Sequence, residues 1–171
     1  MALNRTVQLK KIRDEIWNLS KSPLYNYRKK NNYFPVIGEG NHFSKIIFIG
    51  EAPGQREAET GRPFCGAAGK ILDELLVSID LKRKDVYITN VVKDRPPNNR
   101  DPEPEEIKLY SPFLDRQILI IKPNLHGKVI EAKVPFGKTK IIPLYHPAVV
   151  LYSAGSRKVL EEDFRILKDL V

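Results

Sequence analysis

The sequence predicts an α/β protein with a mostly parallel sheet. Two short runs rich in β-branched residues, KIIFIG at 45–50 and DVYITNVV at 85–92, are typical of buried strands. Around them lie stretches in which apolar residues recur with helical spacing, most clearly at 67–78. Strands that alternate with helices favour parallel pairing, because parallel neighbours need a crossover connection.

The first half of the chain is predicted to hold two helices and one strand. Apolar residues at helical spacing predict a helix over 6–19. The aromatic and basic segment 22–41 is expected to be a loop. The strand at 45–50 ends in Gly50 and leads, through a loop rich in Gly and Pro, into the helix at 67–78.

The second half continues the alternation of strands and helices. The strand at 85–92 runs into a polar, proline-rich loop at 92–104. A helix is predicted over 105–122 and a third strand over 138–147, where an apolar run enters a turn. An amphipathic helix over 157–171 completes the chain as printed.

The length and charge of the chain limit the number of domains and the kinds of partner that can be expected. At 171 residues it is expected to form one domain, residues 1–171, with a sizeable core. Lys and Arg number 29 against 21 Asp and Glu, so the net charge is +8. This charge favours a polyanionic partner, of which nucleic acid is the first candidate. The alternative, which the charge supports equally, is that the protein is basic and has no such partner.

Cysteine content and hydropathy exclude several kinds of protein. Cys65 is the single cysteine, which excludes an intrachain disulfide and a cysteine metal cage. The apolar runs are far shorter than the roughly 20 residues that span a bilayer. We therefore expect a cytoplasmic monomer that is not bound to a membrane.

Three loops are predicted to leave the carboxyl ends of the strands, after Ile49, Val92 and Tyr145. In open α/β sheets ligands bind at that edge, and the unusual residues of the chain fall in these same loops. The first loop is not a nucleotide P-loop, because Gly69 and Lys70 precede Ile71 rather than Ser or Thr. Its glycines allow the backbone to approach a flat or anionic ligand.

The segments GEAPGQREAETGRPFCGAAGKILDELL, VYITNVVKDRPPNNRDPEPEEI and PLYHPAVVL resemble three successive motifs of the uracil-DNA glycosylase superfamily, most closely its family 4. The resemblance covers most of residues 34–171. It implies a three-layer α/β/α fold in which a small parallel sheet of four strands lies between helices. It also implies hydrolysis of the N-glycosidic bond of deoxyuridine in DNA, which releases uracil and leaves an abasic site during base excision repair.

The resemblance assigns two residues to the binding of a flipped base. Phe64 matches the phenylalanine that stacks on uracil, and Asn90 matches the asparagine that reads it. An amide offers an acceptor and donors side by side, which suits N3–H and O4 of uracil and opposes cytosine. The alternatives are that Phe64 is a core residue and that Asn90 only ends a strand.

The resemblance also assigns the residues of the chemistry. His146 matches the catalytic histidine, whose imidazole would stabilise negative charge on uracil O2. Glu51 matches an acidic position that orients water or the nucleotide, and Gly50 and Ala52 flank it against the substrate. Ala52 stands where another branch carries a water-activating Asp, so Glu51 is the weaker assignment.

Five residues are predicted to contact DNA. Lys93, Arg95 and Arg100 lie in the polar loop after the second strand, and their charges suit phosphates. Val149 and Val150, followed by Leu151, come after His146 in the loop from which the superfamily pushes an apolar wedge into the duplex. The alternative for the two valines is the start of a buried helix.

The chain departs from family 4 at the positions of its cofactor. Family 4 has four cysteines that hold an iron–sulfur cluster. They align with Leu19, Ser22, Asp94 and Tyr110, none of which is cysteine. The sequence therefore predicts no cluster and no other cofactor, with the N-terminal region held by packing.

A second departure is internal. After IIKPN at 120–124 the family has an apolar strand and a helix, which are missing here. The sheet is thus expected to be one strand short. Three explanations stay open: direct pairing of the flanking strands, a replacement strand from KVIEAKV at 128–134, or an engineered or degenerate protein.

Two other functions compete with the glycosylase. One is an inactive homologue that binds uracil-containing or damaged DNA without releasing a base. The other is a glycosylase with a wider pocket that accepts further deaminated bases. We expect a monofunctional enzyme, because no lysine of the three motifs stands at an obvious nucleophile position.

Overall fold

The computed structural model describes residues 4–121, 132–134, 137–139, 142, 144–153 and 155–168. Seven helices and five strands are found in this part of the chain. The predicted α/β class is confirmed.

A three-stranded sheet forms the centre of the fold, in the order β1 (Glu39–Gly40), β3 (Tyr87–Asn90), β2 (Ile47–Gly50). β2 runs parallel to β3, with Gly50 opposite Asn90, whereas β1 runs antiparallel to β3. The sheet is therefore mixed: its longer pairing is parallel, as predicted, and the two-residue strand β1 adds an antiparallel edge. All four residues of β3 are buried, as expected for a strand with a neighbour on each side.

The helices follow the predicted periodicity closely. The predictions at 6–19, 67–78, 105–122 and 157–171 correspond to observed helices whose ends lie within a few residues, as far as the structure describes them. The helices are α1 (Arg5–Trp17), α2 (Pro23–Lys30), α3 (Gln55–Thr60), α4 (Ala67–Ser78), α5 (Pro104–Ile121), α6 (Val149–Tyr152) and α7 (Gly155–Lys168).

None of the described helices has the length and apolar character that crossing a membrane requires.

Helix α2 lies in the segment predicted to be a loop, so that prediction is wrong. The Ser22 hydroxyl accepts a hydrogen bond from the Leu24 amide at 3.1 Å, and Pro23 occupies the first helical position. Both are standard signals for a helix start. Leu24 and Arg28, one turn apart, are the buried residues of this helix.

The third predicted strand, 138–147, does not join the central sheet in the described part of the chain. Residues 137–139 form β5 (Gly137–Thr139), which pairs antiparallel with β4 (Ala132–Val134) in a separate hairpin. Residues 144–146 have no regular structure. The KVIEAKV segment thus supplies β4 and, within the described residues, no replacement for a central strand.

Two hydrophobic clusters cover the two faces of the sheet. Successive residues of a strand point to opposite faces, so Ile88 joins one cluster and Tyr87 the other. The first cluster contains residues of α4 and α7, and the second contains residues of α1, α2 and α5. This arrangement is the three-layer architecture that the resemblance implied.

A buried polar network joins α2 and α5 to the loop after β3. The Tyr110 hydroxyl hydrogen-bonds Asp94 Oδ2 at 2.7 Å and the Ser22 hydroxyl at 2.8 Å. Arg28 Nε lies 3.5 Å from Asp94 Oδ1, and Arg28 donates to the carbonyl of Trp17 at 2.7 Å. Polar contacts therefore help to hold the N-terminal region, beyond the predicted packing.

Burial raises the pKa of the Asp94 carboxyl to about 6, against the opposing effects of Arg28 and of the Tyr110 hydroxyl. The folded state thus favours the protonated carboxyl more than the unfolded state does. The stabilisation from this group is complete at low pH and is lost as the pH rises through about 6.

We expect the free energy of unfolding of the wild type, relative to Asp94→Asn, to fall by up to about 3 kcal/mol between pH 4 and pH 7. The amide removes the titration of this site. Urea denaturation at several pH values measures the difference, with the exposed Asp101→Asn as a control that should keep the wild-type profile. A difference that does not change with pH would show that Asp94 titrates normally.

A candidate active site at the ends of the central strands

The parallel pairing of β2 with β3 brings two predicted site loops together. Gly50 lies opposite Asn90 at the ends of the two strands. The pairing extends past the strands, because the Val91 amide donates to the Gly50 carbonyl at 2.8 Å and the Val92 amide donates to the Glu51 carbonyl at 3.0 Å. Both loops therefore begin side by side, where ligands bind in α/β sheets.

Gly50 makes room for the two predicted base-binding side chains. A Cβ atom at this position would lie 2.4 Å from Asn90 Oδ1 and 2.8 Å from Phe64 Cε2. Neither distance is possible for a real side chain, so the absence of a side chain at residue 50 lets the amide and the ring meet. Asn90 is only 2% exposed.

Phe64 has an unusual backbone conformation beside this point. Its φ of +48° lies in the left-handed region, which costs free energy for a residue with a side chain and is common at functional sites. Gly69 in the first turn of α4 permits it, because a Cβ at residue 69 would lie 1.8 Å from the Phe64 carbonyl oxygen. The ring packs against the first hydrophobic cluster.

Glu57 fixes the loop that carries Phe64, and sequence reasoning missed it. Its Oε1 accepts hydrogen bonds from the amides of Cys65 at 2.9 Å and Gly66 at 3.1 Å. Arg83 also donates to the carbonyl of Pro63. A carboxylate within a glycine-rich loop was the available signal, since such loops expose amides that an anion can bind.

His146 lies at the rim of the site. Its ring centroid is 5.4 Å from that of Phe64, with an angle of 31° between the ring planes. The Ala148 amide donates to His146 Nδ1 at 3.2 Å, so Nδ1 is an acceptor and the neutral ring carries its proton on Nε2. Burial lowers the pKa of His146, while the nearby Glu51 and Glu57 act in the opposite direction.

These side chains suit a flat ligand with polar edges. Phe64 offers a ring face, Asn90 an amide with an acceptor and donors, and His146 an N–H donor at Nε2. Glu51 is exposed, and its charge acts to raise the pKa of His146. Ala52 instead packs against the second hydrophobic cluster, and its predicted contact with substrate stays a prediction.

The structure corrects the prediction for Lys93. Its side chain is 0% exposed and lies inside the protein, so a direct contact with a DNA phosphate is wrong for this residue. Its position in a polar loop had indicated a surface residue, because lysine is rarely buried.

The two arginines of the same loop are bound to neighbouring side chains. Arg95 donates to Asn99 Oδ1 at 2.7 Å and to the Tyr33 hydroxyl at 2.9 Å. Arg100 binds both carboxylate oxygens of Glu106, at 2.9 and 2.7 Å. Their contacts with DNA stay predictions.

The segment after His146 forms the short helix α6. Val149 and Val150 are half-buried and pack against the first hydrophobic cluster, as the alternative of a buried helix start required. The next two residues are exposed, Leu151 to 51% and Tyr152 to 88%. Sequence reasoning did not single out Tyr152.

Comparison with known proteins places these features in a family. A sequence model described as "Uracil DNA glycosylase superfamily" matches residues 37–169. A Type-4 uracil-DNA glycosylase of Archaeoglobus fulgidus is 43% identical over 182 aligned positions, which cover 91% of this chain and 89% of the relative. Proteins of the same name from Sulfurisphaera tokodaii (42%; 95% of this chain and 84% of the relative) and Thermotoga maritima (41%; 80% and 82%) are also similar.

The first alignment is longer than the chain itself, 182 positions against 171 residues. The relative therefore carries residues that this chain lacks. That difference agrees with the internal shortening inferred from the motifs.

The comparisons contradict the prediction that the chain has no cofactor. Its relatives are Type-4 enzymes, and the family 4 pattern includes an iron–sulfur cluster. The donor set of this chain nevertheless does not fit a four-cysteine cluster. Cys65 is the single cysteine and lies in the Phe64 loop, and the described residues contain no group of three or more His, Cys, Asp or Glu that could hold a metal.

The four aligned positions carry other chemistry. Ser22, Asp94 and Tyr110 belong to the buried polar network, and the half-buried Leu19 packs against the second hydrophobic cluster. A hydroxyl, a carboxyl and a phenol that hydrogen-bond one another are not the thiolate set that iron–sulfur clusters use.

We expect Glu57→Ala to raise the rate at which a thiol reagent modifies Cys65, by at least about fivefold. The substitution removes two charge-assisted hydrogen bonds that together hold the loop, each worth about 1.5–3 kcal/mol. The single cysteine makes the reaction specific. Glu59→Ala, on the exposed side of the same helix, should leave the rate unchanged; equal rates for all three proteins would show that other contacts hold the loop.

Proposed function

The chain belongs to the uracil DNA glycosylase superfamily, and we propose that it hydrolyses the N-glycosidic bond of deoxyuridine in DNA. The observation that supports this most is the convergence of Phe64 and Asn90 on Gly50, with the His146 ring against that of Phe64. The 37–43% identity to several Type-4 uracil-DNA glycosylases supports the same reaction.

Uracil would enter this pocket after it leaves the base stack. The ring of Phe64 would cover one face of the base. Asn90 Oδ1 would accept the N3–H of uracil while its amide nitrogen donates to O4. Cytosine presents an acceptor at N3 and donors at N4, so the same amide opposes it. A fixed amide of this kind provides selectivity because mismatched polar groups would be left unpaired in a buried site.

His146 would stabilise the departing base. When the bond between N1 and C1′ breaks, its electron pair stays on uracil and negative charge develops on O2. The Nε2–H donor of the neutral imidazole suits that oxygen, as donors in an oxyanion hole do. The lowered pKa favours the neutral ring near pH 7.

Water would complete the reaction at C1′. Its oxygen forms the new bond to the sugar, and the proton that it loses balances the proton that the uracil anion takes up. We propose that the exposed Glu51, beside His146, orients this water or the flipped nucleotide. Lys93 is enclosed in the protein, which supports water as the nucleophile and a monofunctional enzyme.

The net charge of the chain suits a duplex as partner. The net charge of +8 attracts a polyanion over long range. We propose that Leu151 and Tyr152, exposed next to His146, fill the space that the flipped base leaves. A single domain over residues 1–171, a monomeric state and a cytoplasmic location stay predictions.

The decisive experiment uses an oligonucleotide with one deoxyuridine, followed by alkaline cleavage of abasic sites. We expect the wild type to release uracil and His146→Ala to be slower by about a hundredfold or more, the effect of one lost oxyanion donor. His126→Ala, a histidine outside the three motifs, serves as the matched control.

The outcomes separate the competing functions. Folded wild-type protein that binds the uracil-containing strand but releases no base would be an inactive binder. Release of hypoxanthine or xanthine as fast as uracil would indicate a glycosylase with broader specificity.

We expect Asn90→Asp to lower the ratio of uracil to cytosine release by roughly ten- to a hundredfold, since one bidentate pattern discriminates by about 1–3 kcal/mol. The carboxylate loses the donor to uracil O4. Single-turnover rates on matched uracil and cytosine oligonucleotides give the ratio, with the exposed Asn98→Asp as control. An unchanged ratio in Asn90→Asp would mean that another residue reads the base.

A further inference from the structure

Lys93 is a buried lysine held against the end of β3, where Asn90 lies. Its Nζ donates three hydrogen bonds: to Asn90 O at 2.5 Å, to Gln117 Oε1 at 2.6 Å and to Thr89 Oγ1 at 2.8 Å. These bonds match the three donors of an ammonium group. All of them end on uncharged oxygen atoms, and no ion pair of Lys93 is found among the described residues.

The partners of Lys93 are themselves fixed. The Thr89 hydroxyl donates to the carbonyl of Ile37 at 2.7 Å, and Gln117 Nε2 donates to the same carbonyl at 2.8 Å. One ammonium group thus links the end of β3, helix α5 and the segment before β1. The link has little freedom to move, because every member is anchored at a second point.

One of the three bonds reaches the residue that reads the base. The carbonyl of Asn90 is the last of β3, and the chain turns back so that a side chain three residues later holds it. Fixing this carbonyl fixes the peptide plane after Asn90. The side chain of Asn90 leaves the backbone at the same residue, so its direction towards Gly50 depends on that plane.

Burying Lys93 in this way costs free energy of folding. An ammonium group without a carboxylate partner is expensive to bury, and burial lowers the pKa of Lys93 to about 7. An apolar side chain would fill the same space without this penalty. It would not hold the Asn90 carbonyl.

We propose that Lys93 is a positioning residue for uracil recognition, which fixes the side-chain amide of Asn90 by holding the Asn90 carbonyl. The inference rests on the proposed function and deepens it. Lys93 does not touch the base; it acts through Asn90. Selectivity for uracil would then depend on a residue in the protein interior.

A purely structural role makes a different prediction. If Lys93 only stabilises the fold, its replacement lowers the melting temperature, while the properly folded fraction recognises uracil as before. If it positions Asn90, selectivity and rate fall in protein that is fully folded. The test therefore needs a variant with a comparable loss of buried hydrogen bonds elsewhere.

The variant is Lys93→Met, which keeps an unbranched apolar stem and removes the three donors. Its matched control is Tyr110→Phe, which removes the buried hydroxyl bonded to Asp94 and Ser22 and leaves the three donors of Lys93 in place. Both proteins are assayed well below their melting temperatures. We expect Lys93→Met to lower the single-turnover rate on uracil by ten- to a hundredfold and to narrow the ratio of uracil to cytosine release. Tyr110→Phe should keep the wild-type ratio.

A second measurement does not depend on activity. The side-chain amide of Asn90 gives a pair of ¹H–¹⁵N resonances that can be assigned by their loss in Asn90→Asp. We expect this pair to shift and broaden in Lys93→Met and to stay in place in Tyr110→Phe.

The outcomes decide the proposal. An unchanged resonance pair together with an unchanged selectivity ratio in folded Lys93→Met would overturn it. Wild-type protein that releases no uracil would defeat the proposed function instead, and the resonances of Asn90 would still show whether Lys93 fixes that side chain.

Discussion

The parallel, in-register pairing of β2 with β3 is the constraint on which the site depends. It sets Gly50 opposite Asn90 and continues into the first residues of both loops. A shift of one residue would turn the Asn90 side chain to the other face of the sheet. Phe64 and His146 then complete the pocket from segments that pack against this fixed edge. Backbone hydrogen bonds, more than any single side chain, thus define where a base can sit.

Close contact at this edge is possible because two residues, Gly50 and Gly69, have no side chain. Gly50 lets the amide of Asn90 and the ring of Phe64 approach each other, and Gly69 lets α4 lie against the backbone of Phe64. Glu57 then holds the loop through two amides. These contacts fix the loop and the two side chains in the absence of a ligand, which reduces the entropy that binding would otherwise cost.

Sequence reasoning found the elements with a clear period and missed those that depend on partners. Helix α4 could be predicted because its apolar residues recur with helical spacing, whereas β1 has only two residues and shows no periodicity. Pocket residues were found through motif resemblance, and Glu57 was missed because its role depends on amides eight and nine positions away. The prediction that Lys93 lies at the surface was wrong because it rested on residue type, since lysine is usually exposed. Its burial depends on acceptors from segments distant in sequence, such as Gln117. The single cysteine likewise led to the prediction of no cofactor, which the comparison with Type-4 relatives contradicts.

The two helical layers have a consequence for the order in which the chain becomes complete during synthesis. Among the described residues, the layer of α1, α2 and α5 draws on the chain only as far as Ile121, so these helices are synthesised before residues 122–168. The other layer needs α7, whose Phe164 stacks on Phe48 with ring centroids 5.7 Å apart. Until α7 emerges, the apolar face of α4 and the side chain of Ile88 lack their cover. A nascent chain therefore exposes one face of its sheet until α7 docks, and chaperone binding or aggregation competes with folding during this interval.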